Sequence, residues 1–321
     1  MKFENSKITL VKGDASFRKL YRRKTTKGSS IIVYAKIDKK KNLLNYDSIN
    51  KILIKKKIYA PKLISESYFN NFIEVEDFGT QTVFDFIKKK NTNKLKIYNK
   101  ILPILIKLQK IKLRKIKNFK NKFYKVPNYS RRILFEEANL FLEWYIPKVI
   151  DKSKRLKIKK DLKKILLNLI KKVNLPNTTF VHRDFHVSNL MIVKNKISII
   201  DTQDAAYGNV AYDLASLIDD VRLKTSMHLK KMIYQKYLSL NKKNINKKKF
   251  QNDFEILSVL RNLKIIGIFT RLAKRDNKKK YLKLIPYAWK LIENRIDKND
   301  IFTELKKKLD DNFSKKIRTK K

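Results

Sequence analysis

The chain has 321 residues, 43% of them hydrophobic and 11% aromatic, which is enough to bury a sizeable core and to divide into two lobes. It carries 79 Lys and Arg against 29 Asp and Glu, a net charge of +50, and no cysteine. These numbers exclude a disulfide framework and a thiolate metal site, and the aromatic content excludes a disordered polyelectrolyte.

The opening MKFENSKITL is polar, without the apolar stretch of a signal peptide. Further on, Lys breaks every apolar run before it reaches the roughly 18 residues of a membrane span. A cytoplasmic protein with no membrane partner is expected. Residues 8–24 alternate and are rich in β-branched and aromatic side chains, Gly28 and Ser29 read as a turn, and residues 30–36 (SIIVYAK) as the next strand. Residues 43–57 have helical spacing at Leu44, Ile49, Leu53 and Ile54, and Ala60-Pro61 stops the chain soon after. Residues 71–78 (NFIEVEDF) form a further strand that ends at Gly79. The pattern then turns helical, with apolar residues at three- and four-residue intervals over 83–89, 94–112, 130–144 and 152–173. Residues 179–201 are a β-rich island, with strands at 190–193 and 197–200 around a tight Lys-Asn-Lys turn. Helices resume at Tyr212, and the basic tail, 315–321, is expected to fray.

The densest signal is His182-Arg183-Asp184-Phe185-His186-Val187-Ser188-Asn189, followed after the hairpin by Ile199-Ile200-Asp201. The pattern H-x-D-x-x-x-x-N, a hairpin and an Asp is how kinases build a catalytic loop and metal site. Phosphoryl transfer needs a carboxylate beside the attacking hydroxyl and oxygen ligands for Mg2+ at the nucleotide phosphates. A carboxylate and an amide five residues apart on one loop meet both needs, and the hairpin returns Asp201 to complete the metal site. A single Asp or Asn here would simply cap a turn. The whole string, at this spacing between two apolar strands, points to chemistry. His182 is read as structural, ordering the loop by hydrogen bonding.

The loop and its sequel, VHRDFHVSNLMI…ISIIDTQDAAYGNVAYDLASLIDD, resemble the aminoglycoside-phosphotransferase and choline-kinase superfamily. Within it they are most similar to the bacterial cell-wall sugar kinases that phosphorylate N-acetylmuramate and N-acetylglucosamine at the anomeric hydroxyl. GDASFRKLYR (13–22) looks like that family's nucleotide-loop segment, Ala60-Pro61 with IEVEDFG (73–79) like its hinge approach, and LFLEWY (140–145) like one of its helical segments. The resemblance implies an α+β, protein-kinase-like two-lobed fold. Residues 1–78 would be a small β-rich N-lobe that binds the nucleotide, and residues 79–321 a larger, mainly helical C-lobe with catalytic loop, metal site and sugar site. It implies ATP and Mg2+ as cofactors, Asp184 as catalytic base, Asn189 and Asp201 as Mg2+ ligands, and Asp213 as a structural anchor of the loop. Nucleotide contacts are expected from Gly13, Ser16, Phe17 and Lys36, and from Glu76 and Phe78 at the hinge. Substrate contacts are expected from Glu143, Trp144, Asp220 and Arg222, the last with a guanidinium suited to a lactyl carboxylate.

The chain also departs from the wider kinase pattern. Asp201 and Asp213 are only a dozen residues apart, which leaves no room for an activation segment, and Asp201-Thr202-Gln203 stands in place of D-F-G. The expected substrate is therefore small. His186 stands where a Lys is usual, Gly13 alone marks the nucleotide loop, and no Glu occupies the next helix to partner Lys36, the nearest acidic candidate there being Asp47. The expected protein is a monomeric ATP-dependent kinase for N-acetylmuramate or N-acetylglucosamine in cell-wall recycling. One alternative is a kinase for choline, an amino alcohol or an aminoglycoside, although cationic substrates want an acidic cleft. The other is a basic nucleic-acid-binding protein on an inactive kinase scaffold. Lys greatly outnumbers Arg, the residue that reads bases bidentately, and the abundance of Ile and Asn with five Gly is what an AT-rich genome imposes. Nucleic acid is not the expected partner.

Overall fold

The computed structural model describes residues 7–11, 18–26, 28–241 and 245–320. The chain forms two compact units, Met1–Pro127 with Phe180–Tyr207, and Asn128–Thr179 with Gly208–Lys321.

In the first unit β1 (Lys7–Val11), β2 (Lys19–Thr25), β3 (Gly28–Tyr34), β4 (Leu63–Ser67) and β5 (Phe72–Glu76) make one antiparallel sheet in the order β1-β2-β3-β5-β4. Pairing of β2 with β3 runs out to Thr25↔Gly28, so Gly28 and Ser29 lie inside the strand and not in a turn. Gly28 has φ 137°, a conformation open to glycine that keeps the hairpin paired to its end. The strand β4 was not foreseen, because LISES has only two apolar residues and a register shift between Leu63 and Ser65 breaks its alternation.

Between β3 and β4, α1 (Lys41–Lys55) brings Leu43 and Tyr46 onto Val33, Ala35, Ile73 and Val75 to form a core. This helix ends with Lys57 at φ 55° and the Ile58 amide bonded back to the Leu53 carbonyl at 2.9 Å. Such a closure usually falls on Gly, and a side chain there costs about 1 kcal/mol.

After the sheet come α2 (Val83–Ile87), α3 (Lys94–Gln109) and a small hairpin of β6 (Lys115–Lys117) and β7 (Phe123–Lys125). The later segment supplies β8 (Thr179–Val181), β9 (Leu190–Val193), β10 (Lys196–Ile199) and β11 (Ala206–Gly208), with β9 on β10 and β8 on β11. The Ile192 amide bonds to the Gln81 carbonyl at 3.0 Å and the Ile199 amide to the Tyr59 carbonyl at 2.8 Å. Those two bonds reach both sides of the Phe78/Gly79 boundary read from the sequence, so that boundary lies inside this unit, to which the β9–β10 hairpin belongs.

The second unit is helical: α4 (Arg131–Leu140), a π-helical turn (Phe141–Tyr145), α5 (Ile146–Val149), α6 (Lys152–Lys171), α7 (Tyr212–Ile218), α8 (Met227–Leu240), α9 (Lys247–Arg275), α10 (Ile285–Ile296), α11 (Thr303–Asn312) and α12 (Lys315–Thr319). Phe141, Tyr145, Trp289 and Phe313 share one aromatic cluster, and Trp289 Nε1 donates to the Tyr145 hydroxyl at 3.1 Å. The described part of the tail is helical and packed. Arg318 is buried over Trp289 and donates to Glu293, Asp310 and the Phe313 carbonyl at 2.7–2.9 Å, so a charged side chain anchors the segment. Among the described residues no helix is long and apolar enough to cross a membrane.

Candidate active site

Strand β8 delivers the chain into the loop 182–188, which enters β9 through a 3-10 turn, Val187–Asn189. Strand β9 returns as β10 across a two-residue turn, Lys194 and Asn195, with φ of 47° and 61°. Two successive left-handed residues give a type I′ turn, whose twist suits a tight hairpin. The Ile200 amide then bonds to the Asn189 carbonyl at 3.0 Å, extending the ladder by one step. Asp201 therefore leaves its strand beside Asn189.

The loop is held largely by its own backbone. Asn189 Nδ2 donates to the Asp184 carbonyl at 3.0 Å, and the His186 amide donates to the same oxygen at 3.0 Å. The buried His182 ring places Nε2 3.0 Å from the Ile200 carbonyl, joining the loop's start to the strand's end. Arg183 and Asp201 have φ of 75° and 62°. A side chain in that region costs of order 1–3 kcal/mol, and such residues gather at functional sites. The carboxylates of Asp184 and Asp201 are both partly exposed.

Asp201 has a partner the sequence did not indicate. Arg18, just before β2, lays its guanidinium on the Asp201 carboxylate and donates through Nη1 to Gln203 Oε1 at 2.6 Å. The Arg18 side chain is 5% exposed and sits 5.6 Å above the Tyr46 ring of α1. Burial pushes the Tyr46 hydroxyl up to about 12, so it stays neutral beneath the cation. Thr202, fully buried, donates to Asn50 Oδ1 at 2.6 Å, and Asn50 Nδ2 donates to the Pro61 carbonyl at 2.9 Å. Residues 201–203 are thus fixed to α1 on one side and Arg18 on the other. The only clue to Arg18 in the sequence is an Arg in a Lys-dominated chain directly before an alternating strand.

Gly13, Ser16 and Phe17 lie outside the described residues. Lys36 is exposed, at the N-cap of a 3-10 turn (Ile37–Lys39) past the end of β3. Asp47, the acidic partner considered for it, is instead buried against Lys51 at 2.8 Å and the Phe119 amide at 2.8 Å, and burial raises its pKa. At the hinge the Glu76 carboxylate accepts from the Lys62 amide at 3.1 Å, and Phe78 is half-buried. Between them Asp77 is gripped by Arg22 at 2.6 and 3.0 Å and by the Gly79 amide at 2.8 Å. Burial alone would raise the Asp77 pKa, but the bonds from Arg22, Ser29 and Gly79 outweigh it and hold it low.

The remaining candidates belong to the helical unit. Asp213 is fully buried in the first turn of α7. Glu143 is exposed and pairs with Lys159 at 3.0 Å, while Trp144 is half-buried on the same π-helical turn. Asp220 is 2% exposed; its Oδ1 accepts from the Arg222 amide at 3.0 Å, with Arg222 Nη1 3.6 Å away. Its Oδ2 has no hydrogen-bond partner among the described residues. Asp219, its neighbour in sequence, is absorbed in a cluster with Lys230, Arg295 and Ser258.

As donors for a metal, Asn189 Oδ1 and the Asp201 carboxylate are hard oxygen ligands, and a cation already rests on Asp201. No group of three or more His, Cys, Asp or Glu among the described residues is placed to hold an ion unaided. Two protein oxygens suit a cation such as Mg2+ that keeps water and phosphate as its other ligands.

The model of the phosphotransferase enzyme family matches residues 7–244. N-acetylmuramate/N-acetylglucosamine kinases of Neisseria meningitidis serogroup B and Pseudomonas putida are each 26% identical to the chain, over 286 and 303 residues. The matches cover 87% and 93% of this chain and 82% and 86% of those proteins. Among solved structures, amicoumacin kinase hAmiN in complex with AMP-PNP, Ca2+ and Ami is similar with a TM-score of 0.62 at 13% identity, covering 89% of this chain and 88% of that one. The fold is kinase-like, with a β-sheet N-terminal region and a helical remainder.

Proposed function

The chain belongs to the phosphotransferase enzyme family and is a small-molecule kinase, and on that premise we propose that it transfers the γ-phosphoryl group of ATP to the anomeric hydroxyl of N-acetylmuramate or N-acetylglucosamine. The observation that supports the chemistry most is the run of hydrogen bonds from Asp184 through Asn189 to the strand end at Asp201. The acceptor is supported by the names of the two relatives, and the donor by the AMP-PNP complex of amicoumacin kinase.

In this reading Asp184 accepts a hydrogen bond from the anomeric hydroxyl. It takes the proton late, as the new O–P bond forms and the bond from the γ-phosphorus to the β–γ bridging oxygen breaks, which suits a loose transition state. An anomeric hydroxyl is more acidic than an ordinary alcohol, so a carboxylate suffices. Asn189 Oδ1 and Asp201 hold Mg2+, whose charge screens the phosphates when bound. Asp220, whose buried Oδ2 has no hydrogen-bond partner among the described residues, would accept from a sugar hydroxyl, and Arg222 would pair with a lactyl carboxylate.

The test is ADP release with N-acetylmuramate, N-acetylglucosamine and choline as acceptors, with the phosphorylated carbon identified by NMR. Phosphate on the anomeric carbon of either sugar is the expected result. Turnover of choline alone would overturn the acceptor and leave family membership untouched.

A further inference from the structure

Kinases place a cation against the α- and β-phosphates, most often a Lys on the third strand. In this chain the residue at that place, Lys36, is exposed beyond the end of β3. The buried cation of the site is Arg18, which touches Asp201 and Gln203 and lies over Tyr46. We propose that Arg18, and not Lys36, is the phosphate-pairing cation of this enzyme, and that its ion pair with Asp201 holds the metal carboxylate in position before Mg2+ and nucleotide arrive. The inference rests on the reading of Asp201 as a metal ligand.

Charge balance carries the argument. With Mg2+ on Asp201, a dication and a guanidinium face one carboxylate, and the excess positive charge calls for an anion at that spot. A triphosphate supplies it. The guanidinium is a planar fork of five N–H donors, so Nη1 keeps Gln203 while the Nη2 side turns from Asp201 to phosphate oxygens. A buried, pre-positioned Arg loses little side-chain freedom in doing so. Without nucleotide, the same group satisfies Asp201, a residue in a left-handed backbone conformation that needs external support. Lys could deliver the charge but not the two-point geometry.

The experiment measures the Kd of ATP by calorimetry, with and without Mg2+, for wild type, Arg18→Met, Arg18→Lys, Lys36→Met and Asp201→Ala, with thermal melts alongside. Arg18→Met is expected to weaken Mg2+-ATP binding tenfold or more beyond any loss in Lys36→Met, with Arg18→Lys in between. If Arg18→Met does not fold, Arg18→Lys alone decides: a loss larger than that of Lys36→Met upholds the assignment, and a smaller or equal one overturns it. A greater loss in Lys36→Met than in Arg18→Met also overturns it. Wild-type Mg2+ dependence in Asp201→Ala would remove the metal reading beneath it, an outcome separate from the Arg18 comparison.

Discussion

Asn189 donates its side-chain Nδ2 to the main-chain carbonyl of Asp184 at 3.0 Å, closing the loop 182–189 on itself. One amide therefore has two tasks: Nδ2 fixes the backbone that carries the Asp184 carboxylate, and Oδ1 remains for a cation. The main-chain bond from Ile200 to Asn189 ties the same residue to the strand that presents Asp201. The proposed base, Asp184, and the proposed metal ligands, Asn189 and Asp201, are thus joined through backbone geometry, with Asn189 as the shared joint.

Substitution can separate the two tasks. Asn189→Asp keeps an oxygen for the metal and removes the donor, so kcat is expected to fall about tenfold, by loss of positioning, with little change in the Mg2+ requirement. Asn189→Ala loses both and raises the Mg2+ requirement as well. Asp184→Asn is expected to lower kcat by about 100- to 10,000-fold with the melt unchanged. Steady-state kinetics across a Mg2+ titration reads all three, and wild-type turnover by Asp184→Asn would remove the proposed base.

Asp219 contributes to stability at low pH. Burial alone would raise its carboxyl, but the charges of Lys230 and Arg295 and the bonds from Lys230 and Ser258 hold it down to about 2, from an ordinary 3.8. The folded value lies below the unfolded one, so the stabilisation is complete above about pH 4 and is lost as pH falls towards 2. The shift corresponds to about 2 kcal/mol. Asp219→Asn leaves two cations buried without a counter-charge and should cost about 3–5 kcal/mol at pH 7. Urea unfolding at pH 7 and pH 3 checks both, and equal losses in wild type and variant between those pH values would show that Asp219 is not the titrating group.

The loop and hairpin over residues 182–201 were legible in the sequence because their signal is local: fixed spacing, two apolar strands and a turn of two left-handed residues. The helices announced themselves through apolar periodicity. Contacts between residues distant in sequence left no such trace. Arg18 meets Asp201 across 183 positions, and nothing in GDASFRKLYR marks which of its basic residues is turned inward. The exposed Lys36 was the more visible candidate for the opposite reason, since a strand and a family habit singled it out. The basic tail misled in the same way, because a run of charge reads as solvated unless its distant partners are known.

Gly267 lies in the second half of α9, where that helix crosses the junction of α4 and the π-helical turn. A Cβ added there would stand 2.3 Å from the Leu140 carbonyl carbon and 2.5 Å from both its oxygen and the Phe141 nitrogen. These are backbone atoms, so no side chain can swing aside, and the elements must separate. Gly267→Ala, favourable by helix propensity alone, is therefore expected to destabilise by about 1–3 kcal/mol. A thermal melt decides it: a lower Tm confirms the close approach, and a raised Tm would show propensity winning and the two backbones parting without cost.

Arg318 anchors the C-terminal helix. Its guanidinium bonds to Glu293 at 2.9 Å, Asp310 at 2.7 Å and the Phe313 carbonyl at 2.8 Å, and covers the Trp289 ring at 5.1 Å. Both carboxylates are partly exposed, so solvent screens the ion pairs and the charged contribution amounts to about 1 kcal/mol. The larger effect is packing, because removing residues 315–321 takes the Arg318 side chain off the buried Trp289 ring. Arg318→Lys is expected to keep part of the charge pairing and lose the planar stacking, so that it melts below wild type, and the truncation to melt lower still. Proteolysis under native conditions adds a second readout: cleavage near Ser314 should be slow in wild type and fast in Arg318→Ala, and rapid cleavage of the wild type would mean the tail frays after all.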